Sequence, residues 1–304
     1  MLFTDSSRGR PFAKDPAVVC FRGRLLLYYS IPPYLEDRAG DGWRIGIACG
    51  TDLDTWEKIG EISPLSPCDK NGLCAPGAIV IGGRVHLFYQ TYGNGKEDAI
   101  CHAASDDGVH FVPNRTNPVF RASGDWNCGR AIDADVIAYK DRLLLFFATR
   151  DPAFAVQMTG VASAPLLSSY ERSDWEQLGL GPILRPELAW EGSCIEAPAA
   201  CEHDGNLYLF YGGGYNCFPQ QVGCAMSEDG LNWRRITQSP ILANGSSGEW
   251  NSCESGHPFI YQDSSGEDHL FYQGSDDTGQ TWRLSRRQIL WKDGIPFAAE
   301  GKDG

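Results

Sequence analysis

DPAVVCFRGRLLLYY, residues 15–29, returns four more times along the chain: APGAIVIGGRVHLFY at 75–89, DADVIAYKDRLLLFF at 133–147, APAACEHDGNLYLFY at 197–211 and HPFIYQDSSGEDHLFY at 257–272. The first four copies align without a gap, and the fifth has one extra residue in its turn. Each reads as a polar or Pro-containing start, an apolar strand, a tight turn and a strand ending in aromatics. A second element follows each copy, a turn leading to an aromatic residue: GTDLDTWEKIG (50–60), SDDGVHFVPN (105–114), SDWEQLG (173–179), SEDGLNWRRI (227–236) and, more weakly, TGQTWRLSRRQI (278–289). Two hairpins per repeat give four antiparallel strands. Five such repeats predict an all-β fold over 1–304, a single five-bladed β-propeller with blades starting near 15, 75, 133, 197 and 257. A β-sandwich would need this register to recur by coincidence. How Met1 and the last strand, near Gln288–Trp291, close the ring is not legible.

Composition fits a fold of short strands. The 304 residues are 42% hydrophobic and 21% charged, and 35 Gly with 18 Pro supply many turns. A formal charge of −13 with no basic stripe argues against nucleic acid or an anionic membrane surface as partner. No apolar run approaches the ~18 residues of a membrane span. The start MLFTDSSRGRPF lacks the apolar stretch of a secretory signal, so a cytoplasmic location is expected. The eleven cysteines contain no C-x-x-C pair, and several fall inside strands, which predicts reduced thiols in the core. Nothing here sets an oligomeric state.

The turns within the repeats (Arg22-Gly23, Gly82-Gly83, Lys140-Asp141, Asp204-Gly205) are tight. The connections between strands 2 and 3, and between successive blades, are long and rich in Trp, Tyr, Asn and Gly. Both sets emerge on the face where each repeat begins beside the axis, which is where a site is expected.

The repeats share their apolar framework and differ at their first residue: Asp15, Ala75, Asp133, Ala197 (preceded by Glu196) and His257. Buried carboxylates are costly unless paired, liganded or partly protonated, so Asp15, Asp133 and Glu196 on one axis point to function. The competing reading is that they cap strand starts or hold a structural cation. Two carboxylates and a carboxylic acid are what glycoside cleavage uses, one acting on water or the anomeric carbon and one protonating the leaving oxygen. Like charges ~6 Å apart at an effective dielectric of ~20 repel by about 3 kcal/mol, enough to lift a Glu towards neutrality. Trp126, Trp190 and Trp250 each lie seven residues before an axial position. They read either as sugar-stacking residues or as repeated packing anchors between blades. The remaining histidines, His86, His102, His110, His203 and His269, lack ligand spacing.

At these residues the chain resembles the five-bladed family 43 glycoside hydrolases and the related furanosidase clan. The resemblance rests on Asp15-Pro16-Ala17-Val18, Ile132-Asp133-Ala134-Asp135-Val136, Glu196-Ala197-Pro198 and Gly256-His257, in family order on the expected blades. It implies Asp15 as general base, Asp133 as the acid that tunes and orients its partner, and Glu196 as general acid. It also implies an inverting reaction on a terminal arabinofuranosyl, xylosyl, galactofuranosyl or fructosyl residue of an oligosaccharide or glycoside. In sister families that retain configuration, the residue matching Asp15 would be a nucleophile. His257 matches an axial histidine that contacts a central water or calcium ion, so a structural calcium is conceivable while no cofactor is needed for chemistry. Arg150 and Asp151, in Arg150-Asp151-Pro152, are candidate rim contacts. Cys74 stands where many relatives carry a Trp. Two alternatives follow: a non-catalytic carbohydrate-binding propeller, or a glycoside phosphorylase, for which His257, Arg130 and Arg150 are the evident cationic contributors.

Overall fold

In the computed structural model of the chain, residues 2–300 are described, apart from Asp37 and Ala39. Met1 and 301–304, which belong to the range assigned to the domain from sequence, lie outside the described residues. Each repeat is a twisted antiparallel sheet, and the innermost strands neighbour one another in the cyclic order of the blades. Blade 1 runs Lys14–Phe21, Arg24–Ile31, Arg44–Gly50 and Trp56–Ile62; blade 2 is Leu73–Ile81, Arg84–Thr91, Ile100–Ser105 and Val112–Pro113. Blade 3 is Ile132–Tyr139, Arg142–Arg150, Gln157–Pro165 and Glu176–Leu178; blade 4 is Ile195–His203, Asn206–Gly213, Gln221–Ser227 and Arg234–Arg235. The fold is the five-bladed propeller that the repeats require.

Blade 5 departs from the pattern. Its first three strands are Glu254–Gln262, Asp268–Ser275 and Arg283–Lys292. The chain start, Leu2–Phe3, pairs with the third of these (Leu2 opposite Ser285, Phe3 opposite Leu284) and closes the ring; Ile295–Ala298 pairs with the far half of the same strand. The fifth copy of the second element is therefore misplaced by the sequence reading. Asp277 caps the turn that ends at Trp282, just as Asp107 and Asp229 cap theirs. In blades 2 and 4 that turn joins strands 3 and 4, whereas in blade 5 it joins strands 2 and 3, so Trp282 lies on the opposite face of the propeller.

The paired aromatics that end each second strand, Tyr28-Tyr29, Phe88-Tyr89, Phe146-Phe147, Phe210-Tyr211 and Phe271-Tyr272, are buried between blades. Burial of each is worth roughly 1.5–3 kcal/mol. Three of them also tie down the connection entering their own blade: Tyr29 donates to Asp5 (2.9 Å), Tyr89 to Asp69 (2.9 Å) and Tyr211 to Glu191 (2.7 Å). These connections deliver the chain to the axis. All eleven cysteines are free thiols, with Cys68 3.6 Å from Cys101 and Cys217 3.4 Å from Cys253. Among the described residues, no helix is long and apolar enough to cross a membrane.

Candidate active site

The five axial residues share one backbone conformation. Asp15, Ala75, Asp133, Ala197 and His257 all have positive φ, between 44° and 54°. Each sits in a break of the ladder between the first and second strands of its blade, as between Lys14 and Ala17 or Ile132 and Asp135. A bulge of this kind turns a side chain out of the strand's alternation, here towards the axis. Four of the freed N–H groups are taken by a neighbouring blade: Asp15 donates to Gln273 (3.0 Å), Ala75 to Ser30 (2.8 Å), Asp133 to Gln90 (2.9 Å) and His257 to Gln220 (2.9 Å). The strain occurs at alanines as well as acids. It belongs to the scaffold, and residue identity at each bulge decides the chemistry.

Asp15, Asp133, Glu196, His257 and Arg150 come together in one pocket of about 490 Å³ on the face predicted from the loops. A larger cavity of about 1120 Å³, lined by residues such as Val18, Ala78, Val136 and Ala200, lies farther along the inner strands at the other end of the axis and lacks these groups. Chemistry, not size, identifies the smaller one as the site. Trp126, Trp190, Trp250 and Asp151 do not reach it. Trp190 stacks on Tyr211 and Trp250 packs against Tyr272. A Cβ on Gly213 or Gly274 would fall 2.3 Å from the indole of Trp190 or Trp250, so those glycines exist to admit the rings. Trp126 packs into the blade 3 core. These are the anchors of the alternative reading. Asp151 accepts the N–H groups of Ala155 (2.6 Å) and Val156 (2.9 Å) and shapes its own loop.

The carboxyls differ electrostatically. Burial pushes Asp15 up, but His257, whose Nδ1 is 3.1 Å away, with Lys14, Ser30 and the Ala75 N–H, outweighs it and holds the group below the usual Asp range. Burial dominates at Asp133, which the charges of Glu196 and Asp15 help to raise to about 7 against the opposing His257. Glu196 is also raised, by burial first, with Lys14 and a hydrogen bond from Gln220 opposing. Both Glu196 oxygens accept amide hydrogen bonds, Oε1 from Gln220 (2.6 Å) and Oε2 from Gln157. The surroundings thus favour the anion at Asp15 and the protonated form at Asp133 and Glu196.

Sequence reasoning missed several wall residues. Phe12, Trp43, Tyr92, Tyr215 and Trp282 supply the aromatic surface, and Arg10 and Lys14 add cations to the Arg130 and Arg150 that the sequence singled out. Lys14 lies 4.4 Å over the Trp282 ring. Burial would lower it, but Asp15, Glu254 and Glu196 hold it above its usual range. Glu254 is a fourth buried carboxyl, raised by burial to about 7 and held by Gln273 (2.6 Å) and the Cys217 N–H (2.7 Å). Oriented to satisfy both neighbours, the Asn216 amide bridges Glu254 (3.0 Å) and Lys14 (3.1 Å). Most of these residues lie in the segment before the first repeat or in long loops, where no periodic signal reports them.

Among the described residues, Asp15, Asp133, Glu196 and His257 do not gather three ligand atoms within 4.8 Å; only Asp263, Glu267 and His269 do, away from this pocket. His257 is engaged by Asp15, so an ion here would have to be held through backbone oxygens or water.

A five-bladed propeller with three buried carboxyls in one axial pocket has the groups that cleavage of a glycosidic bond uses. Residues 10–296 match the family described as glycosyl hydrolases family 43, and the chain belongs to that family. A 1,2-beta-oligomannan phosphorylase from Thermoanaerobacter sp. (strain X514) is 27% identical over 207 residues, a match that takes in 66% of this chain and 64% of that protein's length. Among solved structures, a thermostable family-43 glycoside hydrolase superposes with a TM-score of 0.77 at 19% identity, covering 98% of this chain and 96% of the other. An alpha-L-arabinofuranosidase from Lactobacillus brevis gives 0.70 at 16% identity, covering 94% of each chain. At such identities the structural likenesses establish the fold alone.

Proposed function

We propose that this chain removes a terminal furanosyl or pentosyl residue from an oligosaccharide by hydrolysis with inversion. Asp15, ionised at neutral pH, takes a proton from the attacking water. Glu196 gives its proton to the departing glycosidic oxygen, and Asp133 keeps that proton available through mutual repulsion while orienting the sugar. The single observation behind this reading is the division of protonation within one pocket: Asp15 held down, Asp133 and Glu196 held up. The aromatic wall of Trp43, Tyr92 and Trp282 suits the apolar face of a sugar ring.

The test is a panel of aryl glycosides with the native protein and the Asp15→Asn, Asp133→Asn and Glu196→Gln variants. Each substitution is expected to cost at least ~10²-fold, and an activated aryl leaving group should partly rescue Glu196→Gln alone. NMR of the first-formed anomer reads the stereochemistry, and retention would reassign Asp15 as a nucleophile. A native protein that binds glycosides without turning them over would be a binding propeller instead.

A further inference from the structure

Two of the eleven thiols lie where the pocket wall meets the next blade. Cys217 Sγ is 3.4 Å from Cys253 Sγ, across a blade boundary. Cys217 sits in the loop between Asn206–Gly213 and Gln221–Ser227 of blade 4, and Cys253 immediately precedes Glu254–Gln262 of blade 5. Both are partly exposed, whereas Cys194, Cys201 and Cys224 are buried. Cys217 also has a positive φ of 59°, a left-handed conformation that favours glycine. That backbone aims its N–H at Glu254 Oε2 (2.7 Å) while its sulfur meets Cys253. Such strain persists only where the surroundings fix it.

The two sides of the contact are held unequally. Cys253 is fixed to blade 5, because its N–H (3.0 Å) and its thiol (3.1 Å) both donate to the Ser275 carbonyl, and Glu254 pairs with Ser275 in the sheet. The loop carrying Cys217 is pinned at its ends. The Gly214 N–H donates to the Cys194 carbonyl (2.9 Å), and the Gln220 carbonyl accepts from Ser255 (3.0 Å). Between those ends, Asn216, Phe218 and Pro219 are exposed. The same stretch supplies pocket wall: Tyr215 stacks with Arg150, and the Asn216 amide bridges Glu254 and Lys14. A pull on Cys217 is therefore a pull on the wall.

We propose that Cys217 and Cys253 form an oxidative modification site, joined in a disulfide by a peroxide and reopened by a thiol, and that the bond displaces the wall made by Tyr215 and Asn216. Formation of the bond is independent of what the pocket cleaves; its effect on turnover rests on the glycosidase reading. In the first step the Cys253 sulfur attacks the O–O bond of hydrogen peroxide, giving a sulfenic acid and one water. The Cys217 sulfur then attacks the sulfenic sulfur and expels a second water. Two thiols are oxidised and one peroxide is reduced, giving one disulfide and two waters. Burial first, then the charge of Glu254, raises the Cys217 thiol, which suits it to the second step, made in contact, and not to the attack on peroxide. The sulfurs must close from 3.4 Å to about 2.05 Å. With Cys253 held in the sheet, Cys217 makes that approach and draws Asn216 and Tyr215 with it. Asp15, Asp133 and Glu196 stand on other segments, so the cost falls on binding.

The experiment treats the full chain with hydrogen peroxide and maps its unreduced peptides by mass spectrometry. A Cys217–Cys253 link is expected, lost again in dithiothreitol. Hydrogen exchange over 214–220 should slow in the linked form, a readout that needs no substrate. On a glycoside that the native protein cleaves, KM should rise about 10-fold and kcat change less than ~2-fold, both reversed by dithiothreitol. Cys217→Ser and Cys253→Ser, shown by thermal unfolding to be folded and each compared with its own untreated sample, should not respond. Cys68 and Cys101 make a second close pair, 3.6 Å apart and outside the pocket lining, so Cys68→Ser should respond as the native protein does. Absence of the link, or a link that leaves KM unchanged, overturns the proposal. So does a response that persists in both pocket-side serine variants or disappears in Cys68→Ser. If the native protein cleaves no glycoside, the cleavage reading fails by itself, and the link with its slowed exchange still decides the site.

Discussion

Gln220 joins Glu196 to the next blade: its Nε2 donates to Glu196 Oε1 at 2.6 Å, while its Oε1 accepts the N–H of His257 at 2.9 Å. Since His257 faces Asp15, one amide fixes the acid relative to the group that holds the base ionised. Gly256 leaves room for it, because a Cβ there would lie 2.0 Å from the Gln220 oxygen. Gln220→Ala should lower kcat/KM by roughly 10–100-fold through misplacement of the acid. It should also move the alkaline limb of the pH–rate profile upward, since the lost hydrogen bond favoured the ionised form of Glu196. A fall in activity with an unmoved limb would make Gln220 a packing residue only.

Lys14 is the cation shared by Asp15, Glu196 and Glu254. For the native protein, activity should fall at low pH as Asp15 protonates, below the usual Asp range, and at high pH as Glu196 loses its proton, above the usual Glu range. Lys14→Met removes a charge that favours both carboxylates, so both limbs should move to higher pH together. A profile recorded from about pH 2 to about 9, which reaches below the ordinary Asp value, distinguishes this from a uniform loss of rate, which would reject the electrostatic role.

The fold was legible because five copies of one hairpin share a register, and the acids were legible because they interrupt that register at one position. The same logic left the tryptophans open between the two readings. Trp126, Trp190 and Trp250 recur at fixed spacing because the scaffold needs them, and recurrence marks scaffold more often than site. Trp282 was hidden by the opposite effect: its turn copies the turns of blades 2 and 4 but sits between different strands, because the chain start supplies a closing strand for blade 5. Arg10 and Phe12 precede the first repeat, and Tyr215 lies in a long loop, so only tertiary structure brings them in.

Asp135 lies two residues beyond Asp133, buried along the axis, where one oxygen accepts the Ala200 N–H at 2.7 Å. Burial raises its pKa to about 7, against the backbone hydrogen bonds of Ala200 and Val136. A carboxyl raised on folding keeps its proton in the native state while the unfolded chain has already lost it, so it subtracts stability as pH rises from about 4 to about 7, and the penalty is then constant. Asp135→Asn keeps an oxygen for Ala200 and removes the titration. It should match the native protein near pH 4 and exceed it by a few kcal/mol above pH 7, an order-of-magnitude figure from the size of the shift. Denaturant midpoints at the two ends of that range supply the measurement, and a pH-independent difference would show that Asp135 is already paired.

The strain at the axial bulges is separable from chemistry because it also occurs where no acid stands. Ala75 is held at φ 46°, a conformation that costs an L-residue about 1–2 kcal/mol and glycine almost nothing. Glycine gives part of this back through the extra freedom of the unfolded chain. Ala75→Gly should therefore stabilise the protein by up to ~1 kcal/mol and leave turnover unchanged, because the Ala75 N–H can still reach Ser30. Asp15→Gly, at φ 54°, should relieve the same strain but leave His257 and Lys14 without their carboxylate, so it should gain less stability than Ala75→Gly or lose some, and abolish activity. Thermal unfolding midpoints compared with kcat for the two variants decide the matter. If Ala75→Gly destabilised the fold, the bulge would be held by the side chain, and the division between a strained scaffold and a chosen residue would fail.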